Sequence, residues 1–202
     1  LVMQGEASQV FCAVRPPGHH AERNKAMGFC FFNNIAVGAF HALQNHGLQR
    51  VAIVDFDVHH GNGTEDIVSG DERILFCSTF QHPFYPHSGY DSQAPNIVNA
   101  PLPAGASSDA FREAVDLYWL PRLKAFEPEL ILVSAGFDAH RADDMAGLNL
   151  VENDYAWVTR RLCEQAERSA GGRLVSSLEG GYDLQSLARS VEAHIKSFLG
   201  EA

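Results

Sequence analysis

The segment DFDVHHGNGT, at positions 55–64, contains several side chains that can bind a metal ion or transfer a proton. At an extended strand end, residues two apart point to the same side, so Asp57 and His59 can direct an oxygen and a nitrogen at one point. Asp138, in AGFDAH, is a candidate third ligand from another strand end. Three protein ligands that leave a position for water and substrate are typical of catalytic zinc. An isolated DxH motif is more often a loop ion pair, so this prediction depends on the surrounding segments.

A pair of histidines, His19 and His20, follows a rigid Pro-Pro-Gly turn. Tandem histidines on a surface loop usually have no catalytic role. A histidine beside a zinc-activated water, however, can take the proton of that water and later deliver it to a leaving amine. This role requires a partner that fixes the tautomer of the ring. Asp55 and Asn62 are the nearest candidates for that partner.

Tyr182 follows Gly180 and Gly181, and this flexible pair allows the backbone to turn sharply and direct the phenol inward. A phenol can donate a hydrogen bond to a developing oxyanion on the side opposite a metal. The alternative interpretation is an aromatic residue that packs after a glycine turn. The segments around Tyr182 favour the oxyanion role.

Short apolar runs predict the strands that must position these residues, at 10–14, 51–54, 74–77, 130–133 and 174–178. They lack strict alternation, as expected when both faces of a parallel sheet are covered. Helical patterns lie at 33–44, 108–126, 153–168 and 184–199. Strands that alternate with amphipathic helices predict an α/β fold, with an open, mostly parallel sheet flanked by helices on both faces. The long non-helical stretch from about Gln81 to Ser107 is expected to shape a pocket rim.

Four of the five predicted strands run directly into polar segments, namely RPPGHH, DFDVHHGNGT, AGFDAH and EGGYD. In open parallel sheets, ligands bind beyond the carboxyl ends of the strands. The four segments therefore bring histidines, aspartates and a tyrosine to one edge of one sheet. This convergence turns the weak DxH motif into a predicted metal site.

Length and composition limit the class of protein. The chain has 202 residues and 46% hydrophobic content, which predicts a single domain over residues 1–202. A net charge of −10 opposes binding to nucleic acid, and no run of twenty apolar residues supports membrane insertion. The four cysteines are widely spread without a CxxC pair, so we expect reduced thiols. The N-terminus lacks a signal-peptide pattern, and the cytoplasm is the expected compartment.

The motifs RPPGHHAERNKAMGFCFFNNIA, DFDVHHGNGT, SAGFDAHRADD and EGGYD closely resemble the zinc-dependent histone deacetylases of the arginase/deacetylase fold. The similarity is greatest to class II members and to the bacterial deacetylase-like and acetylpolyamine amidohydrolases, and it covers nearly the whole chain. It implies a zinc-dependent amide hydrolase that removes an acetyl group from the amine of a lysine side chain or a polyamine.

The resemblance implies a role for each residue of the site. It makes Asp57, His59 and Asp138 the zinc ligands. The catalytic set that it implies comprises an acid–base pair, an oxyanion donor and the two partners of the histidines, namely His19, His20, Tyr182, Asp55 and Asn62. Asp55 would orient His19, and Asn62 would orient His20.

The resemblance also implies substrate and potassium sites. Gly28 and Phe29 would form one wall of an acyl-lysine tunnel, and Tyr85 the opposite wall. A structural potassium ion would be held by the side chains of Asp55 and Ser78 and by the backbone carbonyls of Asp57, His59 and Thr79. A weaker second potassium site would lie near Val68, Asp71 and Ile74.

The chain departs from the family pattern at its start, because family domains begin well before RPPGHH. The resemblance therefore implies the C-terminal two thirds of a family domain. We expect its sheet to expose an edge or a face that is otherwise covered, which favours association into a homo-oligomer.

The remaining histidines and aromatic residues have less specific interpretations. His41, His46 and His194 are predicted to be solvated at helices, and His60 and His140 to neighbour the ligands. His82 and His87 are candidates for the rim. Core packing is expected for Phe31, Phe32, Phe40 and Trp157.

Two alternatives to a deacetylase stay open. An arginase-like ureohydrolase shares this sheet type but uses two manganese ions, whereas the segments supply a single three-ligand site. The other alternative is a fragment without activity that acts as a binding or structural unit.

Overall fold

A computed structural model describes residues 1–201 and contains one six-stranded sheet. The strands are β1 (Gln9–Cys12), β2 (Val51–Asp55), β3 (Ile74–Gln81), β4 (Ile97–Leu102), β5 (Leu130–Ala135) and β6 (Leu174–Leu178). Their order is β1-β6-β5-β2-β3-β4, and every pair is parallel. The predicted parallel α/β sheet is thereby confirmed.

The four helices that the sequence predicts are present, together with an unpredicted helix at 62–68, and β3 and β4 are joined without a helix. They are α1 (Asn34–Asn45), α2 (Asn62–Val68), α3 (Ser108–Ala114), α4 (Leu120–Phe126), α5 (Glu152–Ser169) and α6 (Leu184–Phe198). A π-helical turn over Val115–Trp119 joins α3 to α4, so the predicted helix over 108–126 is continuous. Asn33 caps α1 by accepting a hydrogen bond from the backbone N–H of Ala36 at 3.0 Å. None of the helices in residues 1–201 has the length and apolar content that a membrane crossing requires.

Successive residues of β2 point to opposite faces of the sheet and enter two separate hydrophobic clusters. Ala52 and Val54 pack in the cluster beneath the helices from α3 to α5, and Val51 and Ile53 pack in the cluster beneath α1. All five residues of β2 are buried. Because both faces are covered, the strand is apolar without alternation, and the three-layer arrangement is confirmed.

Strand β4 lies inside the long non-helical stretch from about Gln81 to Ser107, where no strand is predicted. Its sequence IVNAPL contains Asn99 and Pro101, which interrupt the apolar pattern that reveals the other strands. The strand forms one edge of the sheet, where a proline is tolerated because its missing N–H is not needed by a further neighbour. The stretch from Gln81 to Ser107 contains no helix, as predicted, but the strand within it was missed by the sequence reasoning.

The prediction that His194 is solvated is wrong. Its ring is fully buried, with Nδ1 2.6 Å from the hydroxyl of Thr159 and Nε2 2.9 Å from the hydroxyl of Ser176. Burial lowers the pKa of His194 to about 3, so the ring is neutral. The most buried residues of α6 include the small polar Ser186 and Ser190, and hydropathy alone does not predict that this face is buried.

The phenylalanines before α1 do not pack in the core as expected. Phe31 and Phe32 are 68% and 78% exposed, because α1 begins only at Asn34 and helical spacing does not apply to them. Phe40 and Trp157 do pack against the two hydrophobic clusters. In the described part of the chain, all four cysteines are free thiols.

Candidate active site

The loops after four neighbouring strands meet at the carboxyl edge of the sheet. In the order β1-β6-β5-β2, these loops carry the histidine pair, Tyr182, Asp138 and the DFDVHH segment. Neighbouring parallel strands end at the same edge, and the topology therefore brings together side chains that are more than 160 residues apart in the chain.

The three predicted ligands form a buried cluster whose ligating atoms all lie within 4.8 Å of one another. His59 Nδ1 is 3.0 Å from Asp57 Oδ1 and 3.1 Å from Asp138 Oδ2. Tetrahedral zinc with bonds of about 2.0–2.2 Å separates its ligand atoms by about 3.3–3.6 Å. The donor set and its spacing therefore fit a zinc ion.

Two glycines give the carboxylates of this cluster their space. A Cβ at Gly136 would lie 2.0 Å from Asp57 Oδ2, and a Cβ at Gly180 would lie 2.2 Å from Asp138 Oδ2. The backbone N–H of Gly180 also donates to Asp57 Oδ2 at 2.8 Å. The glycines of GFD and EGGYD are therefore required by close approach to the ligands.

The electrostatics of the cluster favour a bound cation. Burial and the charge of Asp57 raise the pKa of Asp138 to about 6. Burial lowers the pKa of His59, but hydrogen bonds to Asp138 and Asp57 outweigh it and raise the pKa to about 10. In residues 1–201, no lysine or arginine forms an ion pair with either carboxylate. A divalent cation would supply the positive charge that is otherwise supplied by a proton on His59.

The histidine pair lies beside the ligands, and each ring has the predicted partner. His19 Nδ1 is 2.9 Å from Asp55 Oδ2, and His20 Nδ1 is 2.7 Å from Asn62 Oδ1. The Asn62 amide is oriented by donation of its Nδ2 to Glu22 at 2.7 Å. Because an amide oxygen only accepts, His20 carries its proton on Nδ1 and has a lone pair on Nε2.

The two histidines differ in charge. Burial lowers the pKa of His19, but the charges of Asp55 and Asp57 outweigh it and raise that pKa well above its ordinary value. Burial, together with the charge on His19, lowers the pKa of His20 to about 3. The pKa shifts therefore favour a proton on His19 and a neutral ring for His20, and the two ring centroids lie 4.0 Å apart.

The sequence reasoning missed Glu179, although it belongs to the EGGYD motif. Its buried carboxylate accepts hydrogen bonds from the backbone N–H groups of Gly18 and His19 at 2.6 and 3.1 Å and from the hydroxyl of Ser134 at 3.0 Å. Glu179 thus fixes the turn that carries the histidines. The available signal was a charged residue directly after a buried strand.

A cavity of about 420 Å³ opens onto the ligands. The predicted wall residues Gly28, Phe29 and Tyr85 line it, together with His20 and Tyr182. A Cβ at Gly28, where φ is +54°, would lie 2.2 Å from the ring of His20, so this position requires glycine. The cavity is therefore a largely apolar channel that leads to the candidate catalytic groups.

The residues of the first potassium site lie close together. Asp55 and Ser78 are register partners in β2 and β3, and Thr79 follows directly. Asp55 Oδ1 accepts a hydrogen bond from the backbone N–H of Asp57 at 3.1 Å. The potassium role of these residues stays a prediction.

An asparagine side chain contacts the three residues near which the second potassium ion is implied. Nδ2 of Asn96 donates to the carbonyls of Val68, Asp71 and Ile74 at 2.9, 3.2 and 2.9 Å. Its Oδ1 accepts a hydrogen bond from the backbone N–H of Gly70 at 2.9 Å. These carbonyls share one donor, and the second potassium site stays a prediction.

Asn96→Ala is expected to lower the free energy of unfolding by about 2–4 kcal/mol, because it removes the shared partner of four backbone groups. The matched control is Asn24→Ala at an exposed loop position, which is expected to change stability by less than about 0.5 kcal/mol. Urea unfolding of both variants measures the difference. Equal stability of the two variants would contradict the role assigned to Asn96.

The other histidines lie outside the cavity. His60 Nε2 is 2.7 Å from Glu65, and His140 Nδ1 accepts a hydrogen bond from the backbone N–H of Ala142 at 3.0 Å, so these ring nitrogens have partners outside the ligand cluster. The cavity lining contains neither of the rim candidates, His82 and His87. The two helix histidines that are exposed as expected, His41 and His46, contact each other.

Fold and site together define an α/β protein with a buried group of three possible metal ligands and a pair of histidines at the carboxyl edge of its sheet. The model of the histone deacetylase domain matches residues 1–198, and the chain belongs to this family.

Several named relatives and a solved structure are similar over nearly the whole chain. Histone deacetylase 10 of Oryza sativa subsp. japonica, a chloroplastic protein, is 47% identical over 95% of this chain and 44% of its own length. The histone deacetylase-like amidohydrolase of Pseudomonas aeruginosa is 43% identical over 90% of this chain and 50% of its own. The crystal structure of the HDA15 HD domain matches with a TM-score of 0.91 and 38% identity, over 100% of this chain and 59% of that one.

The chain thus spans about half the length of these relatives. Because one relative is chloroplastic, family membership does not determine a compartment. The cytoplasmic location therefore stays a prediction.

Proposed function

We propose that the chain is the catalytic part of a zinc-dependent amide hydrolase that removes an acetyl group from the amine of an acetylated lysine side chain or an acetylated polyamine. The observation that carries the proposal is the convergence of three groups on one cavity: the Asp57, His59 and Asp138 cluster, the neutral ring of His20 and the phenol of Tyr182. The Pseudomonas relative, which is named an amidohydrolase, supports the reaction class.

Zinc is the proposed metal because one imidazole and two carboxylates form a small mixed nitrogen and oxygen donor set. Magnesium and calcium instead prefer six or more oxygen ligands. When bound, zinc would polarise the amide carbonyl and lower the pKa of a water molecule. Potassium is proposed as a structural ion at Asp55, Ser78 and Thr79, beside the same strand ends.

The residues of the chain perform the proton transfers. Nε2 of His20 accepts a proton from the attacking water and later donates it to the leaving amine, while Asn62 holds the ring in the required tautomer. His19, held by Asp55, contributes positive charge next to the developing oxyanion. Burial raises the pKa of Tyr182, so its phenol stays protonated and can donate to that oxyanion.

The apolar lining of the cavity supports a substrate with a linear alkyl chain. Phe29, Phe84, Tyr85 and Met145 supply apolar lining above the ligands, and the ring of Phe84 stacks on His59 with centroids 5.4 Å apart. A lysine side chain or a polyamine arm is a linear methylene chain that such a channel can enclose. The net charge of −10 is compatible with a cationic substrate and opposes nucleic acid as a partner.

Tyr182→Phe tests the proposal. We expect turnover of an acetyl-lysine peptide to fall by ~100- to 1000-fold, because one oxyanion donor is lost. Zinc content and KM should stay unchanged, and Tyr90→Phe, an exposed tyrosine outside the cavity, should have no effect. The same assay with acetylputrescine and longer acyl-lysines ranks the substrates. Unchanged turnover in Tyr182→Phe would contradict the assignment.

The two alternatives have less support. Within residues 1–201, a single group of three or more metal-ligating side chains is close enough to hold an ion, whereas a dimanganese ureohydrolase requires a second ligand set. Two manganese ions per purified chain would favour the ureohydrolase. A binding or structural role without activity would be favoured by zinc binding without any turnover. Homo-oligomer formation stays a prediction that size-exclusion chromatography can test.

A further inference from the structure

The backbone around Tyr182 is held at two points by buried carboxylates. On one side, the N–H of Gly180 donates to Asp57 Oδ2 at 2.8 Å. On the other side, the N–H groups of Tyr182 and Asp183 both donate to Asp143 Oδ2, at 2.6 and 3.0 Å. Between these points, Gly181 has a φ of +136°, a conformation that residues with a Cβ rarely adopt. The direction of the Tyr182 side chain therefore depends on both anchors.

Asp143 belongs to neither the ligand set nor the cavity lining, but it connects two residues that line the cavity. Its Oδ1 accepts a hydrogen bond from the backbone N–H of Met145 at 3.1 Å, while Oδ2 holds Tyr182. Its own N–H donates to the carbonyl of His140 at 2.8 Å, and its side chain is buried. One carboxylate thus ties the loop after β5 to the loop after β6.

We infer that Asp143 is a positioning residue that sets the location of the Tyr182 phenol. The inference rests on the proposed function, in which that phenol donates to the oxyanion. The hydroxyl lies at the far end of a rigid ring, so a small backbone rotation at Tyr182 moves the hydroxyl further than it moves the Cα atom. A misplacement of about 1 Å at a catalytic group can cost ~100-fold in rate.

Asp143 also contacts the chain where α6 begins. Asp183 is the N-cap of α6, and its side chain accepts a hydrogen bond from the N–H of Ser186 at 2.8 Å. A carboxylate near a helix N-terminus is stabilising. A variant of Asp143 can therefore lose stability as well as turnover, and the test must separate the two effects.

The first measurement compares Asp143→Ala and Asp143→Asn with Asp144→Asn, which removes the same charge from the exposed neighbouring residue. Asp143→Ala is expected to lower kcat by ~10- to 100-fold with little change in KM or zinc content. Asp143→Asn should retain more turnover, because its amide oxygen can still accept from Tyr182 and Asp183. Asp144→Asn should match the parent protein. If neither variant of Asp143 lowers kcat, the inference is wrong.

The second measurement is a double-mutant cycle with Tyr182→Phe. If Asp143 acts through the phenol, adding Asp143→Ala to Tyr182→Phe should lower kcat by less than about twofold further. An equal loss in both backgrounds would show a general structural role and overturn the inference. If Asp143→Ala does not fold, the cycle with Asp143→Asn applies the same criterion. Failure of the proposed function is distinguishable, because Tyr182→Phe alone would then leave kcat unchanged.

Discussion

Asp138→Asn is expected to abolish both zinc binding and turnover while the chain stays folded. The amide oxygen of the new side chain can still accept the hydrogen bond that the N–H of Val58 donates to Asp138 Oδ1 at 2.9 Å. The amide nitrogen would then replace the oxygen that lies 3.1 Å from His59 Nδ1 and can donate to it. The substitution thus preserves local hydrogen bonding and removes one ligand and one charge.

The size of this effect follows from the ligand chemistry. Loss of even an outer partner of a zinc ligand costs roughly 10- to 100-fold in affinity, so loss of a ligand itself should cost more than about 100-fold. Acetate release should then fall to the background of the assay. Metal analysis after dialysis against equimolar zinc measures occupancy, and Asp144→Asn, in the same loop but exposed, is the control.

Stability distinguishes ligand loss from misfolding. Without zinc, the buried carboxylates of Asp57 and Asp138 repel each other, since burial and the charge of Asp57 raise the pKa of Asp138 to about 6. Metal-free Asp138→Asn should therefore unfold at the same temperature as the metal-free parent, or higher. Full zinc occupancy with normal turnover would contradict the assignment of Asp138.

His20→Ala is expected to lower turnover by ~100- to 10,000-fold while zinc content stays unchanged. The ring is a neutral base whose Nδ1 is occupied by Asn62, and its Nε2 is the proposed group that moves the proton. His41→Ala, at an exposed histidine on α1, is the control and should be neutral. Steady-state kinetics with matched zinc loading measures the effect.

The nature of the leaving group provides a second readout for His20. If the ring protonates the leaving amine, a substrate whose amine leaves more readily should lose less turnover in His20→Ala than acetyl-lysine does. An equal loss for both substrates would contradict the acid role of His20. In that case His20 would act only as the base that takes the proton from water.

The sequence predicts the parts of the molecule that depend on local pattern. Apolar runs mark five of the six strands, and the segments after four of them mark the edge where the site forms. The partners of the histidines, Asp55 and Asn62, are also predicted correctly as neighbours, because they lie on the strand end and the helix that flank the ligands. Their catalytic roles remain part of the proposal.

Other features depend on contacts between distant parts of the chain. Glu179 and Asp143 bind backbone N–H groups of loops 161 and 39 residues away, and no side-chain pattern reveals such partners. His194 is buried on a helix face of serines, which hydropathy assigns to solvent. Asn96 donates hydrogen bonds to backbone carbonyls that come together only when the turn before β3 is folded.

The central claim is that one zinc ion, held by Asp57, His59 and Asp138, is required for amide hydrolysis by this chain. Its most direct test is a titration of the metal-free protein with zinc, in which acetate release from an acetyl-lysine peptide is followed as zinc is added. We expect release to rise from background to a plateau at one zinc per chain, and to stay at background in Asp138→Asn. Equal release by chelator-treated and zinc-loaded protein, or a requirement for two manganese ions per chain, would contradict the account.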